Sequence, residues 1–148
     1  HVYQAFKPSK TLVKNIIFIC FAAITISYGV VHGAFVAIAT SSKLAIQNNL
    51  DLNESILLAS EANNVLRLLV YPIFGLLSVL FIYQVWKKNT LYPRWIILFF
   101  PLIPFLIQDF ICKNLSGNIW IIVCGGYLNH ILIIFFTAST IALWNKKN

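Results

Sequence analysis

An almost unbroken apolar run, Asn118–Trp144, reads NIWIIVCGGYLNHILIIFFTASTIALW and is long enough to cross a lipid bilayer. Well inside it lie Gly125 and Gly126, followed closely by Asn129 and His130. Lipid tails offer no hydrogen-bond partner to an amide or an imidazole, so these polar groups should face other helices or a cavity. The run therefore predicts a membrane helix that packs against neighbouring helices.

The composition of the whole chain agrees with a membrane protein. Of its 148 residues, 59% are hydrophobic and 10% charged, with a mean hydropathy of +0.82, whereas soluble domains carry roughly 25% charged residues. Three more windows approach the length of a span: Asn15–Thr40, Val65–Trp86 and Trp95–Cys112. We expect an all-α, integral membrane four-helix bundle that forms a single transmembrane domain over residues 1–148.

The basic residues indicate how the chain is threaded through the membrane. The net charge of +7 is not arranged as the continuous basic face that nucleic-acid binding needs, so no nucleic-acid partner is expected. If the amino end is cytoplasmic, three basic residues lie outside and eight inside, which predicts that both ends are cytoplasmic. The outer three are Lys43, Arg67 and Lys113, and the inner eight are Lys7, Lys10, Lys14, Lys87, Lys88, Arg94, Lys146 and Lys147.

The most polar stretch, residues 41–64, lies between the first two spans. Asp51 or Asn53 is a candidate helix cap there, so we expect a short interfacial helix that leads into the second span. Within that span Pro72 removes one backbone hydrogen bond and predicts a bend. The chain contains no methionine, which suits a piece of a larger polytopic protein with further helices before His1.

Small residues mark the predicted helix-packing faces. Gly29 and Gly33 lie four residues apart on one face of the first span, and such a face lets a neighbouring helix approach closely. Gly125 and Gly126 are interpreted in the same way, since no strand precedes them as a phosphate-binding loop would require.

The three cysteines lack a CxxC pair or a histidine at metal-ligand spacing. Cys20, Cys112 and Cys124 are therefore interpreted as small buried hydrophobic residues. A disulfide between Cys112 and Cys124 is the alternative, because both lie toward the same side of the membrane.

Four polar residues of the spans form the candidate site: His32, Asp109, Asn129 and His130. If the first, third and fourth helices are neighbours, two imidazoles and a carboxylate could ligate zinc or do acid–base chemistry on a lipid-like substrate. The simpler interpretation is structural. Asp109 then pairs with Lys113 one turn later, Asn129 ties helices together, and the histidines are hydrogen-bonded within the bundle. No cofactor or metal is assigned on this interpretation.

Several short motifs resemble an uncharacterised family of bacterial multi-pass inner-membrane proteins. They are Ser27–Phe35 (SYGVVHGAF), Leu91–Trp95 (LYPRW) leading to Phe100–Leu102, Gly125–Asn129 (GGYLN) and Phe135–Ser139 (FFTAS). His32 and Asn129 match the family pattern, whereas Asp109 and His130 do not. The resemblance implies a helical bundle in the bacterial inner (plasma) membrane, and it implies no activity.

Three functional hypotheses follow. The leading one is a non-enzymatic membrane subunit that packs with itself, with a protein partner or with membrane lipids through its small-residue faces. The second is an outer-leaflet enzyme acting on a lipid-like substrate through His32 and Asn129. The third is an oligomeric transporter or channel, suggested by the proline and glycine residues within the second and third spans.

Overall fold

Long helices account for most of the chain in the computed structural model, which describes residues 2–115 and 117–144. All regular elements of the described residues are helical. They are α1 (Val2–Ala5), α2 (Thr11–Gln47), α3 (Leu52–Trp86), a 3-10 helix (Arg94–Phe99), α4 (Leu102–Asn114), α5 (Asn118–Gly125) and α6 (Tyr127–Leu143). The all-α prediction is confirmed. Lys146 and Lys147, which were predicted to follow the last span, lie outside the described residues.

Three helical stretches of the described chain are long and apolar enough to cross a membrane: Thr11–Gln47, Leu52–Trp86 and Arg94–Asn114. A fourth exists if α5 and α6 count as one span. The first helix is 37 residues long, or roughly 55 Å at 1.5 Å per residue. It therefore exceeds a hydrocarbon core of about 30 Å and extends beyond the predicted window at both ends.

Two hydroxyl groups inside α2 are satisfied by the helix itself. Thr25 donates to the Phe21 carbonyl at 2.8 Å, and Ser42 donates to the Ile38 carbonyl at 2.9 Å. Such bonds to the carbonyl four residues earlier remove the cost of placing a hydroxyl among apolar residues. The few polar residues of this helix therefore do not interrupt it.

The turn between α2 and α3 uses specific end signals. Asn49 adopts the left-handed conformation (φ 53°), and the Leu50 N–H donates to the Ala45 carbonyl at 2.9 Å, which closes α2 as a glycine or asparagine commonly does. Asp51 then accepts a hydrogen bond from the Glu54 N–H at 2.9 Å. Asp51 is therefore the helix cap that the sequence predicted, with Asn53 as the rejected alternative.

The separate interfacial helix expected before the second span is absent as such, because its residues form the first turns of α3. This helix runs without interruption for 35 residues and passes through Pro72. The proline removes one hydrogen bond, and no glycine or second proline lies between Leu52 and Pro72 to end the helix earlier. The helix that begins at the Asp51 cap and the second predicted span thus belong to one element, α3.

Both later predicted spans are broken. At Phe100 the backbone is extended (φ −68°, ψ 136°), as expected for a residue that precedes a proline, so the 3-10 helix and α4 are separate elements. In the Asn118–Trp144 run, α5 and α6 meet at an angle of 60° around Gly126. Glycine is a weak helix former, so the Gly125–Gly126 pair marks the break.

The chain divides into two compact units. One comprises the described residues of His1–Asn15 and Leu80–Asn148, and the other is Ile16–Val79. In the first unit the 3-10 helix packs on α6, and α4 contacts both α5 and α6. The second unit consists of most of α2 and α3, joined by the Asn49 turn. The predicted single four-helix bundle remains a prediction.

Candidate functional site

His32 makes its contacts within its own helix. Its Nδ1 lies 2.9 Å from the Tyr28 carbonyl oxygen, and its ring is 4.2 Å from the Tyr28 ring and 6.1 Å from the Phe35 ring, measured between centroids. Tyr28 and His32 therefore share one helix face. The histidine itself is exposed, and a donating Nδ1–H leaves Nε2 as its free acceptor.

The three remaining candidates belong to the other unit. Asp109 lies 3.8 Å from Lys113, with both side chains about four-fifths exposed or more, so the predicted ion pair is confirmed as a solvated pair of small energetic value. His130 mirrors His32, since its Nδ1 lies 2.8 Å from the Gly126 carbonyl oxygen. Asn129 is exposed beside it, and its predicted role as an interhelical tie remains a prediction.

These positions do not assemble a metal site. Among the described residues, no group of three or more histidine, cysteine, aspartate or glutamate side chains is placed to hold a metal ion. The two imidazoles instead share one local motif, in which a histidine bonds the carbonyl four residues earlier. The arrangement supports the structural interpretation of both histidines.

Two of the cysteines require a correction. Cys112 at the end of α4 and Cys124 near the end of α5 form a disulfide, with their Cα atoms 5.7 Å apart, a usual separation for such a bond. The reading of both as reduced, buried residues is therefore wrong, and the disulfide alternative is confirmed. Cys20 is free and buried, as predicted.

The packing centre that sequence reasoning missed is a set of five aromatic rings, which we call the aromatic cluster. Phe81 lies at its centre. The Phe81 ring stacks on Phe100 at 4.4 Å between centroids and lies 5.5 Å from Phe6, 5.6 Å from Tyr92 and 5.7 Å from Phe135. All five residues are at most 4% exposed. Offset and edge-on ring pairs at these distances are favourable beyond the area they bury.

A buried hydrogen bond joins the cluster to α6. The Tyr92 hydroxyl and the Ser139 hydroxyl lie 2.6 Å apart, with Ser139 only 1% exposed. Burial raises the pKa of the Tyr92 phenol above its ordinary value, and the hydrogen bond to Ser139 opposes that rise. A neutral phenol is therefore held in place between the loop and α6.

Two hydrogen bonds to backbone carbonyls and the contact between Arg94 and Trp86 hold the chain around the aromatic cluster. The Leu91 N–H donates to the Ala5 carbonyl at 2.7 Å, and the Ser9 hydroxyl donates to the Asn89 carbonyl at 2.6 Å. Arg94 lies over the Trp86 ring at 5.2 Å and donates from Nε to the Trp86 carbonyl at 3.1 Å. Arginine over tryptophan suits a membrane–water boundary.

A signal for this cluster was present in the sequence. The short motifs Leu91–Trp95, Phe100–Leu102 and Phe135–Ser139 contain Tyr92, Phe100 and Phe135 of the cluster, together with Ser139, which bonds Tyr92. Nothing local indicated that Phe6 and Phe81, far apart in sequence, complete the set.

In the other unit, a groove lies between the second half of α2 and the first half of α3. Its volume is about 560 Å³, and its walls include Ala37 and Ser41 from α2 and Ala59, Ala62 and Asn63 from α3. Ala37 and Ser41 continue the predicted small-residue face. At Gly29 and Gly33, on the same face, an added Cβ would meet no described atom of the chain within 4 Å.

Comparisons with protein-family models, with curated proteins and with solved structures found no match for this chain.

Proposed function

We propose that this protein is a non-enzymatic integral membrane subunit that self-associates through the Gly29/Gly33 face of α2. The observation that carries the proposal is the broad apolar surface of its long helices. Many of the large hydrophobic side chains of the α2–α3 unit are at least half exposed. They are Phe18, Ile19, Ile26, Val30, Phe35, Val36, Leu44, Ile46, Leu50, Leu57, Leu58, Val65, Leu68, Leu69, Leu76 and Val79. Such a surface suits lipid or another helix and not water.

The glycines indicate which part of this surface packs against a second helix. Glycine in a membrane helix lets a second backbone approach closely, which matters because lipid supplies no hydrophobic drive for association. The open space over Gly29 and Gly33 leaves their face available to a helix from another copy of the chain. Gly125 has the same open space and, with Gly126, is a second packing position in this proposal.

The test of the proposal is self-association in lipid. Energy transfer between donor- and acceptor-labelled copies in liposomes should be lost when the protein is diluted with lipid. For Gly29→Leu/Gly33→Leu it should be lost at a protein density at least about tenfold higher than for the parent chain, which corresponds to a loss of about 1.4 kcal/mol of association free energy. Gly75→Leu is the matched control, because Gly75 is also helical and surrounded by open space. A parent chain that is monomeric, or a double variant that associates normally, contradicts the proposal.

The proposed topology places both chain ends in the cytoplasm of a bacterial inner membrane. Besides the charge asymmetry, the Cys112–Cys124 disulfide supports it, because disulfides persist on the oxidising side of such a membrane and this connection is assigned outside. A membrane-impermeant maleimide should label Asn53→Cys on intact cells but Asn89→Cys only after permeabilisation. The reverse pattern would invert the topology.

The enzyme and channel hypotheses gain no support from a particular contact of the described residues. His32 and Asn129 remain the positions to substitute if a lipid-directed activity is sought.

A further inference from the structure

The groove of the α2–α3 unit combines apolar walls with two part-buried serines, Ser41 and Ser55, and one fully buried polar side chain. Small side chains on both helices create the space, and every residue that lines it is uncharged. Its volume of about 560 Å³ falls within the range of roughly 300–1,000 Å³ typical of small-molecule sites.

Asn63 is that buried polar side chain. It is only 4% exposed, and its Oδ1 has no hydrogen-bond partner among the described residues. Leaving a buried acceptor unpaired is unfavourable. The χ2 torsion of asparagine is soft, so rotation of the amide can turn an unpaired oxygen toward an occupant of the groove. The site therefore favours a molecule that donates one hydrogen bond.

The surroundings restrict the rest of that molecule. With no lysine or arginine in the walls, a phosphate or carboxylate entering the groove would lack a counter-charge and pay its desolvation in full. Asn63 precedes the predicted second span by two residues, which places it near the boundary between head groups and hydrocarbon. A polar end at that depth, with the apolar chain running past Leu66 and Ala34 toward the spans, is the arrangement of a neutral lipid.

We propose that this groove binds a neutral long-chain lipid alcohol, whose hydroxyl donates to the Asn63 side-chain oxygen while its hydrocarbon runs along Leu66 and Ala34 toward the spans. This goes beyond the proposed self-association, since the groove is built from one chain. Water bound at Asn63, or an anionic phospholipid, is the competing occupant.

The test compares two probes that differ by the donor alone. Hexadecanol and hexadecyl methyl ether, each offered to the full chain in detergent and detected by native mass spectrometry, should bind with an affinity ratio of about tenfold in favour of the alcohol. Asn63→Leu should bring this ratio to about one, and Asn63→Ala should do the same while keeping the space open. Asn64→Leu is the matched control, because Asn64 is the adjacent, exposed residue, and it should preserve the tenfold ratio.

Other outcomes overturn the proposal. Equal binding of the two probes by the parent chain means that Asn63 does not accept a hydrogen bond from the probe, and water is then its partner. Preference for dioleoyl phosphatidic acid over hexadecanol assigns the groove to a charged lipid instead. Because these readouts concern the probe bound per chain, their failure is distinguishable from loss of self-association in the Gly29→Leu/Gly33→Leu variant.

Discussion

The two units of this protein pack in opposite ways. The aromatic cluster fills one unit with five rings that are at most 4% exposed. The α2–α3 unit has few buried residues, and most of its large apolar side chains point outward. The buried residues of this second unit are Ile17, Cys20, Ala45, Asn63, Leu77 and Ser78.

The difference follows from where the rings and the small residues occur. In the first unit, short helices and loops bring aromatic side chains from separated parts of the chain to one point, and their rings fill the space between elements. In the second, two helices of 37 and 35 residues present alanine, serine and glycine to each other or to open space. Hydrophobicity alone therefore does not indicate which residues form a core, because lipid solvates apolar side chains as well as a core does.

The largest expected effect is the loss of the central ring. Phe81→Ala removes four ring contacts and leaves a cavity, so it should destabilise the fold by about 3 kcal/mol or more. Phe35→Ala in the other unit, where the ring is 52% exposed, should cost less than about 1 kcal/mol. Equilibrium unfolding in mixed micelles compares the two, and equal losses would remove the contrast between the units.

A smaller effect is expected at the buried hydroxyl pair. Tyr92→Phe and Ser139→Ala should each cost about 1–2 kcal/mol, because each leaves a buried hydroxyl without its 2.6 Å partner. The double variant should cost clearly less than the sum, since both hydroxyls are then gone. Strict additivity in the same unfolding measurement would show that this bond does not stabilise the aromatic cluster. Thr25→Val, which removes a bond within α2, serves as the control from the other unit.

Much of the local structure was accessible from the sequence. The apolar windows, the Asp51 cap and the Asp109–Lys113 pair all depend on residues near one another in the chain. The continuity of α3 was missed because polar composition was taken as a sign of a separate element. A capped helix continues until a breaker stops it, and Pro72 alone did not.

The candidate site was less accessible. Its histidines do form hydrogen bonds, but to carbonyl groups of their own helices, and both are exposed and not within a core. The Cys112–Cys124 bond was only an alternative, because the sequence does not give the distance between residues of two different helices. Asn63 was one asparagine among several in a polar stretch, and only its burial against the groove distinguishes it from Asn64.

The Asn118–Trp144 run shows which features the sequence determines and which features depend on the tertiary structure. Its sequence determined that it is apolar and helical, because these properties depend on local backbone and side-chain preferences. Only the tertiary structure decided that it bends by 60° at Gly126, that Cys124 before the bend is bonded to Cys112, and that Phe135 and Ser139 after it complete a core with Phe6, Phe81 and Tyr92. Those outcomes depend on contacts between distant segments, which no local pattern specifies.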